Sequence, residues 1–319
     1  MSESAVVDVL AAVPLLEGWQ QPELADLARV LRRRSVKAGE LLWPQGGEGR
    51  EMAFVVEGSV AASLRVSGDR DVEIATVGAG DMVGEIALLD GGPHTMAVHA
   101  AESATLLMLG RADFAALLAS QSPLAFRLRR RLATLLTARH REQLRLLAAS
   151  LDGEPPAAAP PAVELEPSGA PDSRYLRRMA AFHAFDPLAL WGFLTSGRYV
   201  RCGAGQTLLA EGVPSEACYL TVNGAVEKLL VRGSRRIRVG LAGPGKPFGY
   251  ESLIDGGASP VTAVTRERSL LLVIERAAFD TLFAGEDAVS RVILDVIQAD
   301  LVATLRQTLR PQARLSASL

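Results

Sequence analysis

The segment from Val83 to Val98, VGEIALLDGGPHTMAV, is the most specific motif in this chain. Gly84 has no side chain and therefore lets the backbone approach a ligand closely. Glu85 opens a short predicted helix, and the backbone N–H groups at a helix start are suited to a phosphate. Such a turn is compatible with an anionic ligand such as a phosphate.

Residues for catalysis or metal binding do not occur at the spacings that those functions need. No His-Glu-x-x-His, Cys-x-x-Cys, nucleophile elbow or Walker A sequence is present. The glycine-rich stretches GAGQ (203–206) and GPGK (243–246) lie between apolar runs and are predicted to be turns. Cys202 and Cys218 have no second pair to complete a metal site, so we expect two buried thiols. These observations predict a protein that is not an enzyme, with no catalytic residues and no metal.

Charge and hydropathy exclude further classes of protein. The 319 residues have a net charge of −2 and are 49% hydrophobic, and no run of eighteen uncharged apolar residues occurs. The amino terminus lacks the basic start of a signal peptide, so we expect a cytoplasmic protein with no membrane partner. The basic residues form local clusters, predicted to be solvated sides of helices or hairpins, and no direct nucleic-acid partner is expected. The clusters are Arg32–Arg34, Arg129–Arg131 and residues 232–238.

The chain repeats itself once. An offset of 166 superposes residues 36–60 on residues 202–226, and an offset of 165 superposes residues 83–92 on residues 248–257. One residue is lost between them, in a predicted hairpin. Glycines recur at the turns and apolar residues recur between them, which indicates a duplication.

A stretch rich in proline, alanine and acidic residues separates the two copies. Proline resists both helices and central strands, so residues 151–173 are predicted to be a semi-extended, solvated linker. The chain is thereby divided into a first domain, residues 1–150, and a second domain, residues 174–319.

Short apolar runs separated by glycine-containing turns predict many short strands in each copy. The runs MAFVV, DVEIATV and ATLLML are examples. Helical spacing of apolar residues predicts a helix over residues 22–32, a long helix over residues 122–149 and a helix at the end of the second copy. Each copy is therefore predicted to be a β-barrel flanked by helices.

The segment from Val83 to Val98 resembles the phosphate-binding cassette of cyclic-nucleotide-binding domains. The flanking sequences VKAGELLWPQG, FVVEGSV and VGAGD resemble other signatures of that family. The resemblance covers residues 13–145 and, more weakly, residues 180–308. It is shared with the sensor domain of the catabolite activator protein and with the regulatory subunit of cyclic-AMP-dependent protein kinase. It implies a mostly β fold with flanking helices, in which two double-stranded β-helix, jelly-roll-like β-roll domains stand in tandem.

The resemblance implies a site in the first domain for cAMP or cGMP, where Glu85 accepts a hydrogen bond from the ribose 2′-hydroxyl. The family places an arginine after the cassette proline to neutralise the phosphate, and this chain has His94 there. An imidazole near pH 7 is largely neutral, so the first site binds weakly, binds another ligand or has lost binding. The implied residues are Gly84, Glu85, Ile86, Ala87, Pro93, His94 and Thr95.

The copy of the cassette in the second half of the chain begins with residues 248–257, FGYESLIDGG, and is called the second cassette. It departs further from the family pattern. Tyr250 occupies the position of the ribose carboxylate and Ser259 that of the phosphate arginine. A weaker second site would use Gly249, Tyr250, Glu251 and Ser259. The alternative is a barrel kept for its fold and its surfaces.

Three functions follow. The first is a non-enzymatic regulator that senses a cyclic nucleotide, or a degenerate derivative acting through protein contacts. The second is a ligand-independent interaction or scaffold module. The third is a transcription regulator of the catabolite-activator class that lacks its own helix-turn-helix. The leucine stripe of helix 122–149 is expected to pack on its own barrel or on a partner helix. Because the helix is longer than one small barrel normally covers, we expect a protein partner or self-association there.

Overall fold

The computed structural model describes residues 3–66, 70–151, 153–157, 163–172, 176, 179 and 182–316. Residues 67–69, which fall in the predicted hairpin where one residue is lost, and linker residues 152, 158–162 and 173 lie outside this description. Two compact units are formed, Met1–Arg131 with Leu309–Leu319, and Leu132–Thr308. The domain limits at residues 150 and 174 stay a prediction.

The first unit contains a β-roll made of two four-stranded antiparallel sheets, in the orders β1-β8-β3-β6 and β2-β7-β4-β5. Its strands are β1 (Arg32–Val36), β2 (Leu41–Trp43), β3 (Glu51–Glu57), β4 (Ser59–Val66), β5 (Arg70–Gly78), β6 (Met82–Val83), β7 (Ala97–Ala100) and β8 (Ala104–Gly110). The helices of this half of the chain are α1 (Glu3–Ala11), α2 (Gln21–Val30), α3 (Glu85–Asp90), α4 (Arg111–Ala119) and α5 (Pro123–Ala149). The residues of α5 from Leu132 onward belong to the second unit.

The core of the first unit lies between the two sheets. Val55, Val60, Val98 and Leu106 are buried there, because alternate side chains of a strand point to the same face. The runs MAFVV, DVEIATV and ATLLML lie in β3, β5 and β8, as predicted from their apolar residues and flanking turns.

The second unit contains a five-stranded sheet in the order β15-β12-β17-β10-β9 and a four-stranded sheet in the order β11-β16-β13-β14. Its strands are β9 (Glu166–Ser168), β10 (Arg198–Cys202), β11 (Thr207–Leu209), β12 (Ala217–Asn223), β13 (Val226–Arg232), β14 (Arg235–Ala242), β15 (Pro247–Phe248), β16 (Thr262–Thr265) and β17 (Ser269–Glu275). The helices are α6 (Pro187–Leu194), α7 (Glu251–Asp255), α8 (Arg276–Ala284) and α9 (Ala288–Ser316). Both cysteines are free and buried.

Backbone hydrogen bonds repeat at the offsets found in the sequence. The Gly39 N–H donates to the Ala100 carbonyl at 2.8 Å, and the Gly205 N–H donates to the Thr265 carbonyl at 2.7 Å. The donors are 166 residues apart and the acceptors 165, so the two halves share one fold.

The linker is more ordered than its composition predicted. Glu166–Ser168 forms β9, which pairs antiparallel with β10, and Val163 and Leu165 pack against the core of the second unit. The prediction of a solvated linker is wrong for this part. The alternation of Val163 and Leu165 with Glu164 and Glu166 is a strand signal, which the surrounding prolines and alanines obscured.

Two arginines of the basic clusters are also not solvated. Arg129 is 5% exposed, and its guanidinium donates to the Leu118 carbonyl. Arg232 makes a bidentate pair with Glu211 at 2.8 and 3.0 Å. Charged side chains become buried where such partners satisfy them, and a basic run by itself does not reveal those partners.

Candidate ligand-binding site

The first cassette begins at Gly84, in the turn between β6 and α3. Its φ of 93° lies in the left-handed region, and an added Cβ would lie 3.0 Å from Cζ2 of Trp43. A glycine is therefore required both by the backbone conformation and by the close contact. The next residue, Glu85, starts α3 with a side chain that is 1% exposed. A buried carboxylate is thus fixed at the start of a short helix.

His94 lies at the other end of the cassette and faces Trp43. The two rings are stacked, with centroids 4.4 Å apart and planes inclined by 10°. His94 is 4% exposed, and its backbone N–H donates to the Gly47 carbonyl at 2.8 Å. The imidazole therefore lies in an aromatic stack. Pro93 is exposed, while Ile86 and Thr95 are partly buried and Ala87 is buried.

Arg111, at the start of α4, fastens the cassette to the loop after β2. Its guanidinium donates to the carbonyls of Gly49 at 2.7 Å, Gly91 at 3.1 Å and Ala87 at 3.1 Å. These acceptors include carbonyls at the end of α3, where a cation is favourable. Arg111 thus links the cassette to the loop after β2 by hydrogen bonds to backbone carbonyls. The sequence alignment of residues 110–114 with residues 275–279 did not reveal this role.

The second cassette has the same backbone and different side chains. The Ser259 N–H donates to the Val213 carbonyl at 2.9 Å, as His94 does to Gly47. Gly249 has a φ of 81°, matching Gly84. The Ser259 hydroxyl donates to the Val261 carbonyl at 2.8 Å, and Ser259 is 3% exposed. This hydroxyl is therefore used inside the turn.

The interior of the second β-roll contains a buried ion pair beside the cassette. The Lys228 Nζ lies 3.0 Å from Oδ2 of Asp300 in α9, and the Tyr250 hydroxyl donates to the same oxygen at 2.8 Å. Their exposed fractions are 3% for Lys228, 5% for Asp300 and 0% for Tyr250. Burial lowers the Lys228 pKa, but Asp300 and Glu251 outweigh it and the pKa is raised. Lys228 is therefore held charged against Asp300.

The first β-roll has a methyl group where the second has this ammonium. Lys228 pairs with Ala263 and Ala62 pairs with Val98, positions related by the offsets of the repeat. Gly240 lies opposite Lys228, and a Cβ on Gly240 would lie 3.3 Å from the Lys228 Cδ. The glycine thus makes room for the lysine stem.

Glu251 and His140 extend the buried polar group of the second unit. The His140 Nδ1 lies 3.7 Å from Oε1 of Glu251, beyond hydrogen-bonding distance. Burial lowers the His140 pKa from 6.5 to about 3, assisted by Lys228, so the imidazole is neutral. Burial raises the Glu251 pKa. Arg141, next to His140, makes a bidentate pair with Asp255.

Several of these residues were missed by the sequence analysis. Lys228 could have been found, since the repeat aligns it with the small apolar Ala62. Asp300 is a charged residue within the apolar stripe of the last helix, where the first copy has Leu135. The sequence contains no comparable signal for the roles of Trp43 and Arg111, because their contacts depend on loops that are brought together only in the folded protein.

A surface cavity of about 790 Å³ lies on the outer face of the first unit's sheet containing β2, β7, β4 and β5. Its lining includes Ser63, Arg65, Asp71 and His99. Ala97, near the end of the cassette segment, also lines it, but none of the seven candidate binding residues of the first domain does. Within the described residues, no helix has both the length and the apolarity needed to cross a bilayer.

The sequence matches the cyclic nucleotide-binding domain family over residues 33–121 and 199–286, together more than half of the chain. The protein therefore belongs to the cyclic-nucleotide-binding domain family and contains two such domains in tandem. The predicted family, the mostly β fold and the tandem arrangement are all confirmed.

Curated relatives share part of the chain. A cyclic nucleotide-gated potassium channel of Rhizobium etli is 39% identical over 115 residues, which are 36% of this chain and 30% of the channel. A cyclic AMP receptor protein of Thermus thermophilus is 35% identical over 106 residues, which are 33% of this chain and 49% of the receptor. The chain thus spans less than half the length of these relatives. A cAMP-bound regulatory domain of Toxoplasma gondii PKA aligns with 87% of this chain and 90% of its own, at 17% identity and a TM-score of 0.35.

Proposed function

We propose that the protein is a non-enzymatic cytoplasmic regulator whose first domain senses cAMP or cGMP through Gly84, Glu85, Ile86, Ala87, Pro93, His94 and Thr95. The observation that carries this proposal is the asymmetry of the two β-rolls. The first has Glu85 at the start of the cassette helix and Ala62 in its interior. The second has Tyr250 and Lys228 at the equivalent positions.

The second domain is proposed to act without a nucleotide. Lys228, Asp300 and Tyr250 form contacts inside it that fill space and satisfy charge, and a ligand phosphate would have to compete with Asp300 for Lys228. The weaker site at Gly249, Tyr250, Glu251 and Ser259 is therefore proposed to be structural. Names of the curated relatives support the first half of the proposal, since they include a nucleotide-gated channel and a cyclic AMP receptor.

Isothermal titration calorimetry with cAMP and with cGMP tests the proposal. We expect a saturable heat that Glu85→Ala removes and Glu251→Ala does not remove, with folding of both variants checked by circular dichroism. Absence of heat at millimolar concentrations of both nucleotides, or a heat lost only in the Glu251 variant, contradicts it.

A second function, that of a ligand-independent scaffold, is favoured by the Trp43–His94 stack. In this structure the residue at the position of the family's phosphate arginine is buried against an indole. A scaffold predicts that no cyclic nucleotide raises the melting temperature, because only a ligand that binds the native state stabilises it.

The partner of helix α5 is proposed to lie in the same chain. In the second unit, the Thr308 hydroxyl of α9 donates to Oε1 of Gln143 in α5 at 2.6 Å, and the two positions are related by the offset of 165. A contact between equivalent positions is what a symmetric helix pair would give. Light scattering after size exclusion is expected to show a monomer, and a dimer abolished by Gln143→Glu would contradict this.

A further inference from the structure

The two β-rolls differ at one sheet edge. In the second unit β9 covers the outer edge of β10, and Glu166 lies opposite Arg201. In the first unit β1 is the equivalent strand, and within the described residues it ends the sheet with no further strand beside it. The same position in the same fold is therefore filled in the second unit and, as far as the structure describes the chain, open in the first.

The open edge is accessible and positively charged. Arg32, Arg33 and Ser35 of β1 are exposed, and so is Lys37 just beyond it. Arg32 and Arg34 have acidic neighbours in Glu51 and Glu40. Arg33 points to the opposite face of the strand from these two, because successive side chains alternate.

Charge decides which strand can pair there. Two copies of β1 side by side would bring arginines together, and like charges opposite each other are destabilising. Charged edges prevent pairing of identical strands in this way. An acidic strand would instead be attracted to the arginines of β1, because opposite charges on paired strands stabilise each other. The second unit contains such a strand in the segment V-E-L-E-P-S, residues 163–168.

We propose that the outer edge of β1 binds an extended acidic segment of a partner protein by β-strand addition. In the register of β9 on β10, partner residues at the positions of 164, 166 and 168 lie opposite Lys37, Ser35 and Arg33. The partner therefore has carboxylates at alternate positions, facing Lys37 and Arg33, and its backbone amides pair with β1.

The peptide AVELEPEGA, which is residues 162–170 with Ser168→Glu, is a suitable probe. It is titrated into the full-length protein labelled with ¹⁵N, and amide shifts and hydrogen exchange are measured. We expect shifts and slowed exchange in residues 32–36, with a dissociation constant of about 1 mM, as expected for one short strand. Shifts restricted to β10, which would mean displacement of β9, or no shifts at all, overturn the proposal.

Charge exchange gives the matched control. Arg33→Glu is expected to weaken binding about threefold to tenfold, the range for one or two exposed ion pairs. Arg29→Glu, an exposed change on α2, is expected to leave it unchanged. The peptide AVKLKPKGA is expected to prefer the Arg33→Glu protein. If Arg33→Glu and Arg29→Glu weaken binding equally, the contact is purely ionic and strand addition is overturned. The same conclusion follows if AVELEPEGA methylated on alternate backbone nitrogens binds as tightly as the unmethylated peptide.

Discussion

At the scale of single residues, the two cassettes differ in what fills the space beside the cassette helix. Trp43 and His94 stack in the first, and Lys228, Asp300 and Tyr250 form a charged group in the second. Both arrangements use side chains of the protein itself, and the second contains the buried ion pair between Lys228 and Asp300.

His94→Arg is expected to strengthen binding of a cyclic nucleotide by the first domain about tenfold to a hundredfold. The reason is that a charge-assisted hydrogen bond contributes roughly 1.5–3 kcal/mol, and a guanidinium can still stack on Trp43. Titration calorimetry measures the change. His94→Gln, which adds no charge, is the control, and equal affinities of the two variants would contradict the role given to the charge.

Lys228→Met is expected to lower the free energy of unfolding by about 3–5 kcal/mol, since it leaves the Asp300 carboxylate buried without its cation. Asp300→Asn leaves the ammonium without its anion and is also expected to destabilise. The double variant removes both charges and keeps an acceptor for Tyr250. Its loss of unfolding free energy should therefore be well below the sum of the losses of the two single variants. Chemical denaturation measures all three, and additive losses would argue against a coupled pair.

His140 predicts a dependence of stability on pH. The unfolded imidazole gains a proton near its ordinary pKa of 6.5, whereas the folded one, its pKa lowered by burial, gains it near 3. The stability that the neutral form contributes is present above pH 6.5 and is lost as pH falls toward 3, by up to about 1.4 kcal/mol per pH unit.

Denaturation curves of the natural protein and of His140→Gln, measured from pH 7 to pH 4, test this dependence. Glutamine does not titrate, so the contribution of Glu251 largely cancels in the difference between the two. Parallel curves would show that His140 takes up its proton equally in both states.

At the scale of elements, most of the architecture was predictable. Glycines at the turns, short apolar runs and the 166-residue repeat predicted the strands, and leucine spacing predicted α5 within a residue or two. β9 was missed because two alternating apolar residues are a weak signal within a proline-rich stretch. The charged group was missed because it joins β13, the second cassette and α9, which are distant in sequence.

Leu165→Ala is expected to destabilise the protein by about 1–2 kcal/mol, less than a fully buried leucine, because Leu165 is only partly buried against the core. The neighbouring Glu164→Ala is exposed and should change stability by less than about 0.5 kcal/mol. Urea denaturation compares them. Equal, small effects would mean that residues 163–168 do not contribute to folding of the second unit.

At the scale of the whole molecule, the chain is a duplicated cyclic-nucleotide-binding domain whose two copies have diverged inside a common backbone. Both copies keep the left-handed glycine at the cassette, Gly84 and Gly249, because the turn requires it in either case. The proposed division of labour places ligand sensing in the first copy and a permanent internal contact in the second.

The most direct test of this division is the number of nucleotides bound per chain. Equilibrium dialysis with radiolabelled cAMP and, separately, cGMP measures this number at saturation. We expect one nucleotide per chain for at least one of the two, and none after Glu85→Ala. Two nucleotides per chain, one that survives Glu85→Ala, or none with either ligand would contradict the account.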